Sequence, residues 1–371
     1  MSALWWILGA AGAAFVGYLA YGTYLAYVLK WEDEQSVGLA YYGRTPEGRA
    51  AFKEELRGHA RRLGPILRLN AKLAKMDFAR ARIQHQGVSG PSGSCSVESF
   101  AQAAAYTPRE DDVFVVTQMK CGTTWMQHVV YEVLHRGQGD LVATGRAMYA
   151  LSPWIEGRKS IPLAEARPLG TDHPSRIIKT HLPAALCPYN DRAKYIYVAR
   201  HPVSCFASCI DFIDTNVGGM APELPAFVTW FTSKDLMWWG TWTDHVKGWW
   251  ARRQAPNVLF VFFEDMKKDL GAVVRQVATF LGVRDLTDAE VANIVHKTSF
   301  AYMQEHQDNF EMHPPHILQT NAELFVAGTA DRYKNVPAEI RSQVAAWVVR
   351  EMADSDFPLK ERYPDVVAPK G

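Results

Sequence analysis

The sequence lacks an excess of charge of either sign: 40 Lys and Arg stand against 39 Asp and Glu in 371 residues. That balance excludes a nucleic-acid binder that works through a globally basic surface. Cysteine is scarce. The five thiols, Cys95, Cys121, Cys187, Cys205 and Cys209, are odd in number and dispersed, with no pair at the spacing of a zinc ribbon or a disulfide framework. Reduced thiols are therefore expected. No Asn-x-Ser/Thr sequon occurs, as suits a domain that never meets the glycosylation machinery. Internal repeats and low-complexity tracts are absent as well. What is present is ordinary globular composition, 48% hydrophobic and 21% charged. It rules out a disordered chain, a collagen-like fibre and a polytopic membrane protein. The length fits one large domain, with or without an appendage.

One long apolar run stands out. Leu4 to Leu29 contains no charged residue, and about 20 residues suffice to cross a hydrocarbon core. Trp5 and Trp6 sit near one end, and Tyr24, Tyr27 and Trp31 near the other, as interfacial anchors do. A cleaved signal peptide needs a basic leader and a shorter apolar core, and neither is here. Residues 1–30 are expected to be a transmembrane anchor that meets the bilayer through residues 4–29. Gly9, Ala13 and Gly17 recur every four residues, a pattern that chance supplies in a Gly/Ala-rich helix. Residues 44–82 carry eleven Lys/Arg and four acids, which places this flank, and the domain behind it, in the cytoplasm. Residues 31–105 read as a basic juxtamembrane linker, solvated or lying on anionic lipid. Gly58 and the pair Gly64-Pro65 should interrupt any long helix there. Ser89 to Ser96 (SGPSGSCS) reads as a seam before the catalytic domain, residues 106–371.

Within that domain the texture changes. Val113–Thr117, Arg176–Thr180, Tyr195–Val198 and Val258–Phe263 are short β-branched and aromatic runs of the buried-strand kind. Helical patterns such as Trp125–His135 and Leu270–Leu281 separate them. Alternation of this sort predicts an α/β fold of three layers, P-loop-like, with a mostly parallel central sheet. The first strand runs into Thr117-Gln-Met-Lys-Cys-Gly-Thr-Thr-Trp125 and then a helix. A tight loop with Lys and Gly before a helix N-terminus suits an anion, although ordinary strand–helix turns share the form. It is not a Walker A loop, because the first Gly is missing and the Lys precedes the Gly.

Lys120-Cys-Gly-Thr-Thr-Trp125 resembles the 5′-phosphosulfate loop of sulfotransferases that use 3′-phosphoadenosine 5′-phosphosulfate (PAPS). Four further segments resemble the cytosolic-type family in the same order: Arg176–Pro183 (RIIKTHLP), Tyr195–Pro202 (YIYVARHP), His245–Trp250 with Val258–Met266, and Lys297–Met303 (KTSFAYM). The likeness spans roughly residues 106–335. It implies a PAPS-dependent sulfotransferase that moves a sulfuryl group to a hydroxyl of a small, hydrophobic acceptor by in-line displacement. By the same likeness His181 is the general base, Lys120 stabilises the leaving nucleotide's bridging oxygen, and Lys179 is a cation near the sulfuryl group. The nucleotide site implied comprises Lys120, Cys121, Gly122, Thr123, Thr124 and Trp125 of the loop. Arg200 and Ser208 serve the 3′-phosphate, and Trp125, Phe263, Thr298 and Phe300 lie around adenine, with Gly328 near the C-terminus. The chemistry of the residues agrees. A histidine at a strand's C-terminal end suits base work near neutral pH, and an Arg fork with a hydroxyl suits a dianion.

Three departures from the family pattern matter. Cys121 replaces a usual Ser and Phe263 a usual Tyr. In Val326–Asn335 only Gly328 remains of an Arg-Lys-Gly triplet, so two cations for the 3′-phosphate are missing, and Arg332 is the nearest substitute. Cys121, beside Lys120 and ahead of a helix N-terminus, could also be an activated, cofactor-shielded thiol, or an inert one packed on the strand. Of six Trp between positions 230 and 250, Trp249 and Trp250 read as core, while Trp238 and Trp239 suit core or an acceptor pocket equally. His306, His313 and His316 form no metal-ligand motif, and the reaction needs no metal. The rival enzyme reading, a phosphoryl transferase, lacks its Walker A loop. The rival non-enzyme reading, a scaffold that merely keeps the fold, sits badly with Lys120 and His181 both present. Neither the acceptor nor the oligomeric state is legible.

Overall fold

The computed structural model describes residues 2–311, 314–317 and 332–368. Helix α1 (Ser2–Gln35) is apolar on every side over most of its length, and its first half is bare of neighbours among the described residues: Trp5, Phe15 and Leu19 are all exposed. Its second half is not bare. Val28 is fully buried, and Trp31 stacks on Phe52, ring centres 5.3 Å apart. A short α2 (Leu39–Tyr42) leads to α3 (Pro46–Leu73), which begins with Pro46 in its first turn and Thr45 accepting a hydrogen bond from the Gly48 amide.

Helix α3 runs unbroken through Gly58, Gly64 and Pro65, where an interruption was expected. The propensity cost is about 1 kcal/mol for each Gly and about 3 kcal/mol for Pro. Phe52, Leu56, Leu63 and Ala71 are buried along one face, and each large apolar side chain contributes about 1.5–3 kcal/mol. Burial wins. The Ser89–Ser96 stretch is not a loose seam either. Hairpin β1 (Arg82–His85) and β2 (Val88–Pro91) places Gly90 under Phe100, where a Cβ would meet the ring at 2.6 Å. Ser96 then caps α4 (Val97–Ala104) in a reciprocal box with Ser99. Residues 31–105 are thus folded onto the catalytic body and not a linker. Arg57, Arg61 and Arg80 lie on the outside, whereas Arg49 is buried and donates to the Arg44 and Gly145 carbonyls.

The body is built on four parallel strands in the order β4-β3-β5-β6. In chain order, β3 (Asp112–Val116) feeds α5 (Thr123–Leu134), then β4 (Arg176–Thr180), then β5 (Lys194–Ala199) feeds α6 (Pro202–Val217). Helices α7 (Leu224–Thr232) and α8 (Trp242–Trp250) precede β6 (Val258–Phe262), which is followed by α9 (Phe263–Lys268), α10 (Leu270–Leu281) and α11 (Asp288–Lys297). Alternate strand residues enter two separate cores. Phe114, Ile178 and Tyr197 pack with Trp230 and Trp249, whereas Val115, Ile177 and Val198 pack with Val129, Val274 and Phe52. Both faces being covered, the strands read as continuous apolar runs. All four end at the same edge. There His181, the Thr117–Gly122 loop, Arg200 and Phe263 follow one another across the sheet, as open α/β sheets place ligand sites.

Because Phe52 is 2% exposed between Trp31 and Tyr41, Phe52→Ala should destabilise the whole domain by about 3–5 kcal/mol. Thermal unfolding followed by a probe in the catalytic body checks this, since a detached linker would leave the melting temperature unchanged.

Candidate active site

The strand ends surround a cavity of about 740 Å³. His181 follows β4 and is 3% exposed, with its ring on the cavity wall. Its Nδ1–H donates to the Thr117 carbonyl at 2.9 Å, which leaves Nε2 as the unprotonated nitrogen. Burial, and next the Lys179 charge, hold its pKa well below the usual 6.5. The neutral ring is therefore the resting form, ready to take a proton. The His181 backbone is fixed as well. Its carbonyl accepts from His245 Nε2 at 2.9 Å, and its amide donates to Glu156 Oε1 at 2.7 Å. Glu156 also accepts from the Thr180 hydroxyl at 2.8 Å. His245, pushed down to about 4 by burial, accepts from the Tyr197 hydroxyl on its other nitrogen.

The edge of β4 explains how Glu156 arrives there. The Lys179 amide donates to the Pro153 carbonyl and the Ile155 amide to the Lys179 carbonyl, so residues 153–155 cover the strand. Trp154 then stands edge-on to His181, ring centres 5.6 Å apart, and Trp239 lies 4.8 Å from it on another side. Lys179 does not line the cavity. Its amine is buried, without a hydrogen-bond partner, 3.8 Å over the Trp154 ring, and desolvation lowers its pKa to about 7.

Lys120, Gly122, Thr123, Thr124 and Trp125 line the cavity's inner end. The turn is tight. Lys120 has φ +63° and Gly122 φ +100°, and a Cβ on Gly122 would come within 2.8 Å of the Phe263 ring. Lys120 is thus a side-chain residue in the left-handed region, a conformation concentrated at functional loops. Its carbonyl accepts from Arg200 Nη1 at 2.8 Å. Arg200 lies over Phe263, and its Nε is buried without a partner among the described residues. With Ser208 on the same wall, the group has donor capacity left for an anion. Lys267, on α9, lines the same region, and burial and then Arg200 push its pKa down. Trp125 faces Phe263 edge to face and donates its indole N–H to the Thr298 carbonyl.

The structure thus brings Lys120, Gly122, Thr123, Thr124, Trp125, His181, Arg200, Ser208, Phe263 and Phe300 to one cavity. It leaves out Lys179, Cys121 and Thr298, whose hydroxyl is turned inward to the Ile294 carbonyl. Gly328 lies outside the described residues, as does the Arg332 side chain. Of the two even candidates, Trp238 and Trp239 are buried and also wall the cavity, while Trp249 packs on Tyr195 and Tyr197. Sequence reasoning missed Glu156, which only nonlocal pairing brings under His181. It also missed Lys267, four positions after the quoted Phe263.

Of the two readings of Cys121, activated thiol or inert one packed on the strand, the geometry favours the inert one. Its side chain turns away from the cavity into the core, 1% exposed, with its sulfur 3.7 Å from that of Cys205. Burial, followed by the Cys205 contact, raises its pKa well above that of a free thiol. The N-terminal amides of α5 act on the cavity side of the loop, and the thiol is on the other.

Residues 110–356 match the model of the sulfotransferase domain family. The chain is 30% identical over 296 residues to rat sulfotransferase 1A1, covering 77% of this chain and 99% of that one. It is 32% identical over 262 residues to rat sulfotransferase 1C2, with 66% and 84% covered. Among solved structures it is similar to mouse sulfotransferase SULT7A1 complexed with PAP, the desulfonated 3′,5′-bisphosphate product of PAPS. The TM-score is 0.59 at 25% identity over 76% of this chain and 98% of that one.

In the native chain, Cys121 should be alkylated by iodoacetamide no faster than Cys187 or Cys209, which are equally buried. Peptide mapping after limited labelling reads this directly, and preferential labelling of Cys121 would contradict the geometry.

Proposed function

The chain belongs to the sulfotransferase family, a PAPS-dependent sulfotransferase by its relatives and fold, and from that membership we propose which residues carry the transfer and what accepts it. PAPS supplies the sulfuryl group and departs as PAP. His181 is the general base, and the observation that carries this reading is its tautomer: Nδ1–H committed to Thr117 and Nε2 left to accept. Nε2 takes the acceptor's hydroxyl proton as the acceptor oxygen forms its bond to sulfur. Lys120, on the strained turn, is the cation for the leaving phosphate oxygen, and the amides at the start of α5 hold the 5′-phosphosulfate. Lys179 works at one remove. Packed on Trp154, its charge adds to the larger effect of burial in keeping His181 neutral.

Arg200 and Ser208 hold the 3′-phosphate, as supported by the unpartnered Arg200 Nε, and we assign Lys267 as a further cation there, in place of those missing near Gly328. Trp125, Phe263 and Phe300 form the adenine side. The acceptor end is walled by Met119, Trp238, Trp239, Phe212 and Ile213, which suits a hydrophobic alcohol or phenol. Helix α1 serves as a single membrane anchor with the catalytic body on the cytoplasmic side. Its bare apolar half and the basic flank behind it support that reading.

Replacing His181 with Ala should lower kcat by about 100-fold or more while PAP still stabilises the protein in a thermal-shift assay. A variant within threefold of wild type would remove His181 from the mechanism. Since the ring's pKa is held below its usual 6.5, the acid limb of kcat should lie below pH 6.5, activity being lost only where the ring gains its proton. Lys267→Met should weaken PAP binding about tenfold, the scale of one charged hydrogen bond, with kcat little changed. Isothermal titration with PAP measures it, and unchanged affinity would sink the assignment.

A further inference from the structure

Besides the residues of the site, the cavity is lined by Met76, Val217 and Met220, none of them fully buried. These residues are held together by the end of α3. The Met76 amide donates to the Met220 carbonyl at 2.8 Å, the Lys75 amine donates to the Gly219 and Ala221 carbonyls, and Ala71 packs on Gly219. The last turns of α3 therefore form one lip of the cavity. On their outer side Ile66, Leu69 and Leu73 are 39%, 58% and 77% exposed, an apolar face that no described residue covers.

The position of that face relative to α1 tells what covers it. The two helices run antiparallel: Trp31 meets Phe52, Tyr24 Oη lies 2.7 Å from His59 Nδ1, and Arg62 donates to Tyr24. Beyond that pairing α3 continues toward the bare apolar end of α1. Leu69 and Leu73 lie about 10 and 16 Å past Arg62 along α3, at 1.5 Å per residue. Arg57 and Arg61 are exposed just before this stretch, and Lys75 is half-exposed just after it. An apolar stretch bracketed by cationic side chains, beside an aromatic contact with α1, is the pattern of a segment lying in a bilayer interface and not crossing it.

We propose that Ile66, Leu69 and Leu73 dip into the cytoplasmic leaflet beside the α1 anchor, and that the Met76–Val217–Met220 rim is a portal through which a bilayer-resident amphiphilic alcohol enters. The hydroxyl leads toward His181 past Phe212, and the apolar remainder trails back toward the lipid. The inference rests on α1 being a membrane anchor and on the transfer reaction proposed above, and it adds the route and the class of acceptor: a lipid-dissolved molecule and not a water-borne one.

The test uses the full chain in vesicles of phosphatidylcholine with a minor share of phosphatidylglycerol. All five native cysteines are buried, so a thiol-reactive environment-sensitive fluorophore can be placed by L69C, L73C and, as the control on the exposed start of α4, V97C. Nitroxide-bearing lipid should quench the probes at 69 and 73 several-fold more than the probe at 97. A long-chain alcohol carrying a diazirine, dissolved in the same vesicles, should crosslink to the peptides holding Met76 and Met220, and I66S/L69S/L73S should reduce that crosslink several-fold. Equal quenching at all three sites, or crosslinks confined to α1, would overturn the portal. Stabilisation by PAP is read separately on the same samples. Its absence would count against the reaction reading, whereas the quenching and wild-type crosslinks judge the portal on their own.

Discussion

The hydrogen bond from His181 Nδ1–H to the Thr117 carbonyl joins the ends of two adjacent strands, and the site depends on it. Thr117 closes β3 just before the anion loop; His181 opens the loop after β4. One bond therefore sets the distance between the His181 ring and the Thr117–Gly122 turn, and fixes which ring nitrogen carries the proton. It is backed on both sides. Thr117 Oγ1 lies 2.6 Å from Thr123 Oγ1 in the first turn of α5, and Glu156 and His245 clamp the backbone of His181. Such a shell of buried, mutually satisfied groups holds its geometry before any ligand arrives.

Much of this was legible in the residues. The strand Val258–Phe262 and the helix Leu270–Leu281 lie where their composition suggests, because a parallel strand covered on both faces reads as a near-continuous apolar run. The tight turn between β3 and α5 was legible from the order strand, Lys, Gly, helix. What escaped was whatever depends on the far side of the molecule. Helix α3 passes through Gly64-Pro65 because its inner face is wanted by the core, and local propensity cannot register that. Glu156 looked like any loop acid until residues 153–155 paired with β4. Cys121 shows the converse: its neighbours suggested an electropositive setting, yet the direction of one side chain placed the sulfur beside Cys205. Lys267 belongs to a charged run that reads as surface, and the fold brings it near Arg200.

The two cores divide the labour. The one shared by Trp230, Trp249 and Tyr197 supports the wall behind His245, and through it the carbonyl of His181. The other receives α1, α3 and α5 together. The N-terminal helices are therefore held by the same apolar cluster that seats the helix following the anion loop.

That shared cluster has a mechanical consequence. Helix α1 continues without a break from its bare apolar half to Gln35, and Val28 and Trp31 are locked into the body before it ends. The joint has no hinge. A body carried on a supple tether samples every attitude toward the surface it hangs from, whereas one carried on a clamped rod keeps a single tilt and can only spin about the rod. Under the anchor reading proposed above, the attitude of the cavity mouth is set by the rod, and an acceptor dissolved in the same bilayer is met by lateral drift in two dimensions.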